Sequence, residues 1–194
     1  MSFIQAGQWS VRDAAGRRKY ISTAERARFL FAADGFGARE RALCHVLAYT
    51  GCRVSEALEL TVERIDADAG VLVFRTLKRR KLHYRAVPVP MALIANLLDL
   101  PAQADGRIFV MHRATAYRHV KRAMMLAQVR GPMTCPRGLR HGFGIRCAAE
   151  KVPPNLIQRL LGHSSITTTA IYLDAVGDEE REFVARTWKE VSPA

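Results

Sequence analysis

Four separated stretches of this chain carry side chains able to act together on one bond. The first is Thr50-Gly-Cys-Arg53-Val-Ser-Glu56, and the second holds Lys78. The third is Cys135-Pro-Arg137-Gly-Leu-Arg140-His141, and the fourth is Leu161-Gly-His163-Ser-Ser, with Tyr172 nine residues beyond the histidine. Two guanidiniums, Arg53 and Arg140, can clamp the non-bridging oxygens of a phosphodiester, where negative charge grows during displacement. Tyr172 supplies a phenol with an ordinary pKa of about 10. It attacks effectively only where positive charge or a base helps remove its proton. His163 is the candidate for that help, or for a hydrogen bond to the phosphate. Each residue alone has a plainer reading. An arginine at a helix start is usually a solvated charge, Lys78 is one of several lysines, and a lone tyrosine usually fills a core. His141, directly after Arg140, reads as structural. Glu56 reads as a support for Arg53 or its helix.

The elements that must hold these side chains are mostly helical. Residues 1–20 show little periodicity and read as an irregular arm. Ser22 and Glu25 have capping-box spacing and open a helix whose apolar stripe is expected to hold Leu30, Phe31 and Ala33. After Gly35 and Gly37 a second helix is expected over 38–49, with Leu43, Val46 and Leu47 on its apolar face and Gly51 at its end. A third runs from Val54 to about Leu60. Residues 71–75 and 84–89 read as paired strands, with Pro88 marking an edge or strand end. The basic run LKRRKLH between them has no tight-turn signal and implies a longer hairpin loop. Helices are expected over 91–98, 114–128, 139–150, 154–161 and 179–189, and a short strand over 108–110. Pro153 and Pro154 suit a helix start and Gly162 a helix end. The β-branched run 166–169 is a poor intrinsic helix former, so the placement of Tyr172 rests on packing and on its substrate.

Charge narrows the partner. Thirty Lys and Arg against eighteen Asp and Glu leave a net +12 on 194 residues. That balance points to a polyanion, nucleic acid first and an anionic membrane second. No apolar run nears the roughly 18 residues that span a bilayer, and the N-terminus lacks a secretory pattern. A cytoplasmic protein is therefore expected. Cys44, Cys52, Cys135 and Cys147 form no CxxC pair and have no histidine at zinc-ligand spacing. They read as reduced structural thiols, and no metal site is expected. Arg118, Lys121 and Arg122 share one helix face at i, i+3, i+4, with Arg113 beside them. Arg79, Arg80 and Lys81 follow Lys78. These seven are the candidates for further phosphate contacts, against the plainer reading of a solvated basic face.

In order and in spacing, the four stretches together resemble the tyrosine recombinase family, also called phage-type integrases, from about Tyr20 to Lys189. TGCRVSEALELT is similar to the family's first arginine box, and the hairpin with Lys78 and AVPVP to its lysine segment. GLRHGF is similar to the second arginine box, and LLGHSSITTTAIYL to the histidine and tyrosine box. The resemblance implies an α+β, mainly helical catalytic domain over 21–194 with a small antiparallel sheet. It implies site-specific breakage and rejoining of double-stranded DNA through a 3′-phosphotyrosyl link, with no cofactor. The catalytic set it implies is Arg53, Lys78, Arg137, Arg140, His163 and Tyr172, with Lys78 protonating the departing 5′-oxygen. It further implies strand exchange through a four-way junction within a homotetramer on two DNA sites, with residues 179–189 docked on a neighbouring subunit. A monomer in free solution is compatible with that assembly, as is a location on the nucleoid.

The chain departs from the family pattern twice. The family usually has histidine three residues before the second arginine, and here that position is Arg137. An arginine does not serve as a general base, but it can donate to a phosphate oxygen. The helical core-binding domain that usually precedes the catalytic domain is also absent from these 194 residues. Phosphate contacts are then expected to carry more of the affinity, with strong salt dependence. Two other readings stay open: a non-catalytic DNA-binding regulator of the same fold, and a type IB topoisomerase-like relaxing enzyme.

Overall fold

Ser22 opens α1 (Thr23–Asp34) as its spacing requires. Its hydroxyl accepts from the Glu25 amide at 3.2 Å, and the Glu25 carboxylate accepts from the Ser22 amide at 2.8 Å. The computed structural model describes residues 10–76 and 83–173. Lys78, Arg79, Arg80 and Lys81, the expected helix over 179–189 and the first nine residues of the arm lie outside the described residues. The rest of the arm has no helix and one isolated bridge, Arg12 with Arg18. The expected stripe of α1 needs correction. Phe29 and Ala33 are fully buried, whereas Phe31 is 82% exposed. Residues four apart share a helix face, and a step of two places Phe31 about 200° round from Phe29.

Helix α2 (Ala38–Thr50) runs through the core and buries Leu43, Val46 and Leu47. Gly51 ends it at φ 60°, its amide donating to the Leu47 carbonyl at 3.1 Å. A Cβ there would lie 2.9 Å from Phe143, so conformation and space both select glycine. Helix α3 (Val54–Leu58) is shorter than expected, and Leu60 is buried beyond its end. A 3₁₀ turn, Val62–Arg64, leads into β1 (Ile65–Asp66), β2 (Val71–Thr76) and β3 (His83–Pro88). These form an antiparallel sheet in the order β1-β2-β3. Leu72 and Phe74 face inward from β2, and Arg85 and Val87 from β3. Pro88 closes the edge strand, where a missing amide costs least. The two residues of β1 are too few for an alternating pattern to reveal.

Helix α4 (Met91–Leu98) and α5 (Arg113–Leu126) follow. The expected strand over 108–110 is not formed. Ile108 and Phe109 are buried, and the Ile108 amide donates to the Leu60 carbonyl at 3.1 Å in an isolated contact. Helix α6 (Pro136–Ala149) starts three residues earlier than expected, with Pro136 in its first turn. Arg137 therefore sits on the same helix as Arg140 and His141. Helix α7 (Pro154–Leu161) ends at Gly162 with φ 65°, and the single turn α8 (Thr167–Ala170) precedes Tyr172. The main core joins α1–α5 to the sheet. A second cluster, Phe143, Ile157, Leu161, Ile171 and Tyr172, joins α6, α7 and the α8 turn.

Candidate active site

Helix α6 supplies the spine of the site. Arg137, Arg140, His141 and Gly144 recur at i, i+3, i+4 and i+7 and so share one face. Arg140 reaches two helix ends at once. Its Nη1 donates to the Gly51 carbonyl at 2.8 Å, and its Nη2 to the Leu161 carbonyl at 2.7 Å. Those carbonyls carry the partial negative charge of the α2 and α7 C-termini. Burial, followed by the nearby Arg53, lowers Arg140 to about 10, which leaves it a cation at neutral pH.

Arg53 caps α3. Its backbone amide donates to Glu56 Oε2 at 2.8 Å and its Nη1 to Oε1 at 2.7 Å. The Glu56 side chain is wholly buried, and Arg85 meets it from β3. Arg85 Nη2 donates to Oε2 at 2.7 Å and Nη1 to Oε1 at 3.3 Å, while its Nε donates to the Leu160 carbonyl at 2.8 Å. Burial alone would raise the Glu56 carboxyl, but Arg85 and then Arg53 outweigh it and hold it below its ordinary value. The Arg53 side chain is 31% exposed and Arg85 only 4%. Arg53 can still reach an incoming anion, and Arg85 is sealed beneath.

Gly162 turns the chain so that His163 enters the same space. Its Nδ1 lies 3.0 Å from Thr169 Oγ1, and its ring stacks on Tyr172 with centroids 6.1 Å apart. Burial, then Arg140 and Arg53, lower His163 to about 3, so its imidazole is neutral at neutral pH. His141 lies on the other side, its Nδ1 3.1 Å from Tyr172 Oη. Burial, then Arg137 and Arg140, lower it to about 4. Tyr172 is 1% exposed. Burial raises its phenol above the ordinary value, with Arg140 and Arg137 pulling the other way. A Cβ on Gly144 would lie 2.5 Å from the Tyr172 ring, so the bare backbone of α6 forms the seat.

A cleft of about 480 Å³ gathers these groups: Arg53, Arg137, Arg140, His141, His163 and Tyr172 all line it. Five of the six expected catalytic residues are thereby brought together, and Lys78 lies outside the described residues. Arg113 and Tyr117 of α5 line the cleft too. Arg118, Lys121 and Arg122 are exposed along α5 but do not line it. Arg118 Nη2 donates to Thr115 Oγ1 at 3.0 Å, Lys121 Nζ to Thr134 Oγ1 at 3.2 Å, and Arg122 lies over the Phe36 ring at 5.1 Å. The four cysteines are free, and burial pushes the Cys44 and Cys52 thiols up to about 12.

Arg85 escapes the reading of the sequence, which takes His141 only as structural. Arg85 alternates with buried Val87 in a strand, a pattern that marks it as inward-facing. His141 stands four residues after Arg137, a spacing that becomes visible once α6 includes Pro136. Nothing in the sequence singled out Thr169 as the partner of His163.

The model of the phage integrase family matches residues 19–178. Tyrosine recombinase XerA of Pyrococcus furiosus is 31% identical over 160 residues, covering 76% of this chain and 54% of that protein. A crystal structure of the XerH site-specific recombinase bound to palindromic difH substrate, a post-cleavage complex, gives a TM-score of 0.76 at 25% identity, covering 93% of this chain and 57% of that one. The catalytic domain of bacteriophage HP1 integrase shares the fold, with a TM-score of 0.63 at 22% identity over 90% of this chain and 98% of that one. The chain spans about half the length of the curated relatives it matches. With a family match running across both arginine segments, His163 and Tyr172, on a shared helical fold, the chain belongs to the phage integrase family of tyrosine recombinases.

Proposed function

We propose that this chain is the catalytic domain of a site-specific DNA recombinase that cleaves and rejoins double-stranded DNA through Tyr172. The observation that carries this is the convergence of Tyr172, His163, Arg140, Arg137 and Arg53 on one cleft. Arg53 and Arg140 grip the non-bridging oxygens of the scissile phosphate and Arg137 adds a third donor. His163, held by Thr169, donates to the same phosphate. Tyr172 Oη attacks phosphorus, the 5′-oxygen leaves with a proton from Lys78, and the 3′-phosphotyrosyl link stores the bond for rejoining. Arg79, Arg80, Lys81, Arg113, Arg118, Lys121 and Arg122 neutralise flanking phosphates. A homotetramer on two DNA sites, in the cytoplasm, completes the reading. XerH, to which the chain is structurally similar, is a site-specific recombinase, and the cleft suits that chemistry.

The test is covalent capture. A pool of nicked duplexes of randomised sequence, labelled at one end, is incubated with the protein and run on a denaturing gel. A labelled adduct that vanishes in Tyr172→Phe supports the reading. Tight binding without an adduct favours a DNA-binding regulator. Supercoil relaxation without sequence preference or recombinant products favours a topoisomerase-like enzyme.

A further inference from the structure

We propose that His141 is the general base that takes the proton of Tyr172 during attack, an inference that rests on the recombinase reading above. Among the described residues, the hydrogen-bond partner of Tyr172 Oη is His141 Nδ1, at 3.1 Å. Tyr172 is 1% exposed, so its proton has no direct route to bulk water. His163 is the nearer candidate in sequence, yet its Nδ1 is engaged with Thr169 Oγ1 and its ring lies against the face of Tyr172. Arg137 stands where the family usually carries a histidine, and a guanidinium does not accept protons. His141 lies four residues further along α6, one turn away on the same face. The proton acceptor absent at 137 is present at 141.

The charges around His141 favour this role. Arg137 and Arg140 of the same helix act on it, as does Lys19 of the arm, and Tyr172 and His163 face it across the cleft. Among the described residues, no carboxylate is one of the groups that shift it. The imidazole is therefore in its basic form at neutral pH. Burial is the first cause that lowers it, and the charges of Arg137 and Arg140 come next. A phosphodiester seated between the two arginines offsets that second cause, so some basicity returns when substrate arrives. The same arginines stabilise the phenolate as it forms. In the step itself, the Oη–H bond breaks and the proton passes to Nδ1. The Oη–P bond forms, the P–O5′ bond breaks, and O5′ takes a proton from a general acid or water. Rejoining runs the step backwards and returns the proton to Oη.

Two experiments separate this inference from the reading beneath it. The first uses a duplex recovered from the covalent-capture selection and its analogue with a 5′-bridging sulfur, whose leaving group needs no proton. His141→Asn places an amide oxygen near the position of Nδ1, keeping the hydrogen bond without the basicity. Adduct formation is expected to slow at least about a hundred-fold in His141→Asn and His141→Gln, equally on both duplexes, with DNA binding retained. Rates within about threefold of the unmodified protein, or a defect that disappears on the sulfur analogue, overturn the assignment. If the unmodified protein forms no adduct, the recombinase reading fails first. The second experiment needs neither DNA nor a variant. Nitrogen-15 NMR of the unmodified protein should find His141 protonated on Nε2 and bare at Nδ1 at neutral pH. The opposite tautomer makes His141 the donor to Tyr172 and overturns the proposal.

Discussion

Arg85 on β3 and Glu56 on α3 grip each other through two hydrogen bonds, 2.7 and 3.3 Å long, beneath the cleft. The pair ties the sheet to the helix that Arg53 caps, and the Arg85 bond to Leu160 draws α7 into the same knot. Removing one partner leaves a buried charge uncompensated. Arg85→Ala should therefore lose about 3–5 kcal/mol of stability in a urea melt. Arg85→Lys should recover only part of it, because an ammonium lacks the planar fork. A loss below about 1 kcal/mol would show that water relieves Glu56 once the guanidinium is gone.

Gly144→Ala tests the seat of Tyr172. A methyl group 2.5 Å from the ring must displace the ring or the helix. Overpacking of this kind costs about 1–3 kcal/mol. The stacking on His163 and the bond to His141 should be lost together, visible as shifted ring resonances of Tyr172. Unchanged resonances would mean that α6 moves instead.

Arg137→Ala should slow adduct formation on the order of a hundred-fold, as the loss of one preorganised donor does. Equal rates would show that the position is idle. Arg137→His should bring no gain, because His141 already receives the proton. A faster enzyme would count against His141 and point to proton transfer at position 137.

Acid should weaken the fold in a defined window. His141 and His163 sit at about 4 and about 3 in the folded protein, against an ordinary 6.5. As pH falls the unfolded chain binds protons before the folded one does. The stability of the neutral, buried pair is whole above about pH 6.5 and drains from there down toward the folded values. Each histidine contributes at most about 1.4 kcal/mol per pH unit, less what solvent screens. Melting temperatures between pH 6.5 and 5 should fall less steeply in the double variant His141→Gln, His163→Gln. Parallel slopes would place the acid sensitivity elsewhere.

DNA affinity should fall steeply with salt. Replacing Arg118, Lys121 and Arg122 by alanine should flatten the slope of log affinity against log salt by about 3, one for each phosphate left without its cation. An unchanged slope would make that side of α5 a solvated face.

The ends of elements are the least legible part of the fold in the sequence, and caps the most. The Ser22–Glu25 box, Gly51 and Gly162 all act where their residue types demand it, because capping is a local interaction. Phe31 defies its apparent stripe because α1 has too many apolar residues for one face to declare itself, and packing against α2, α5 and α6 decides which face is covered. Residues 108–110 have strand-like composition, but among the described residues no strand of the sheet pairs with them. Within the site, the family resemblance of their segments singles out Arg53, Arg140, His163 and Tyr172, and they line one cleft. The partnership of Glu56 with Arg85 is not legible in the sequence, since 29 residues separate them and only the sheet brings them into register. The contact of His141 with Tyr172 depends equally on α6 meeting the α8 turn across 31 residues.

Arg140 is held by the carbonyls of Gly51 and Leu161, neutral dipoles rather than a carboxylate. An incoming phosphate therefore has no ion pair among the described residues to tear apart at Arg140. The reorganisation that a mobile arginine in water would undergo at each turnover was completed once, when α2 and α7 docked against α6. Speed at this cation is thus inherited from folding, and a variant that loosened either helix end would slow the chemistry without touching a single reacting atom.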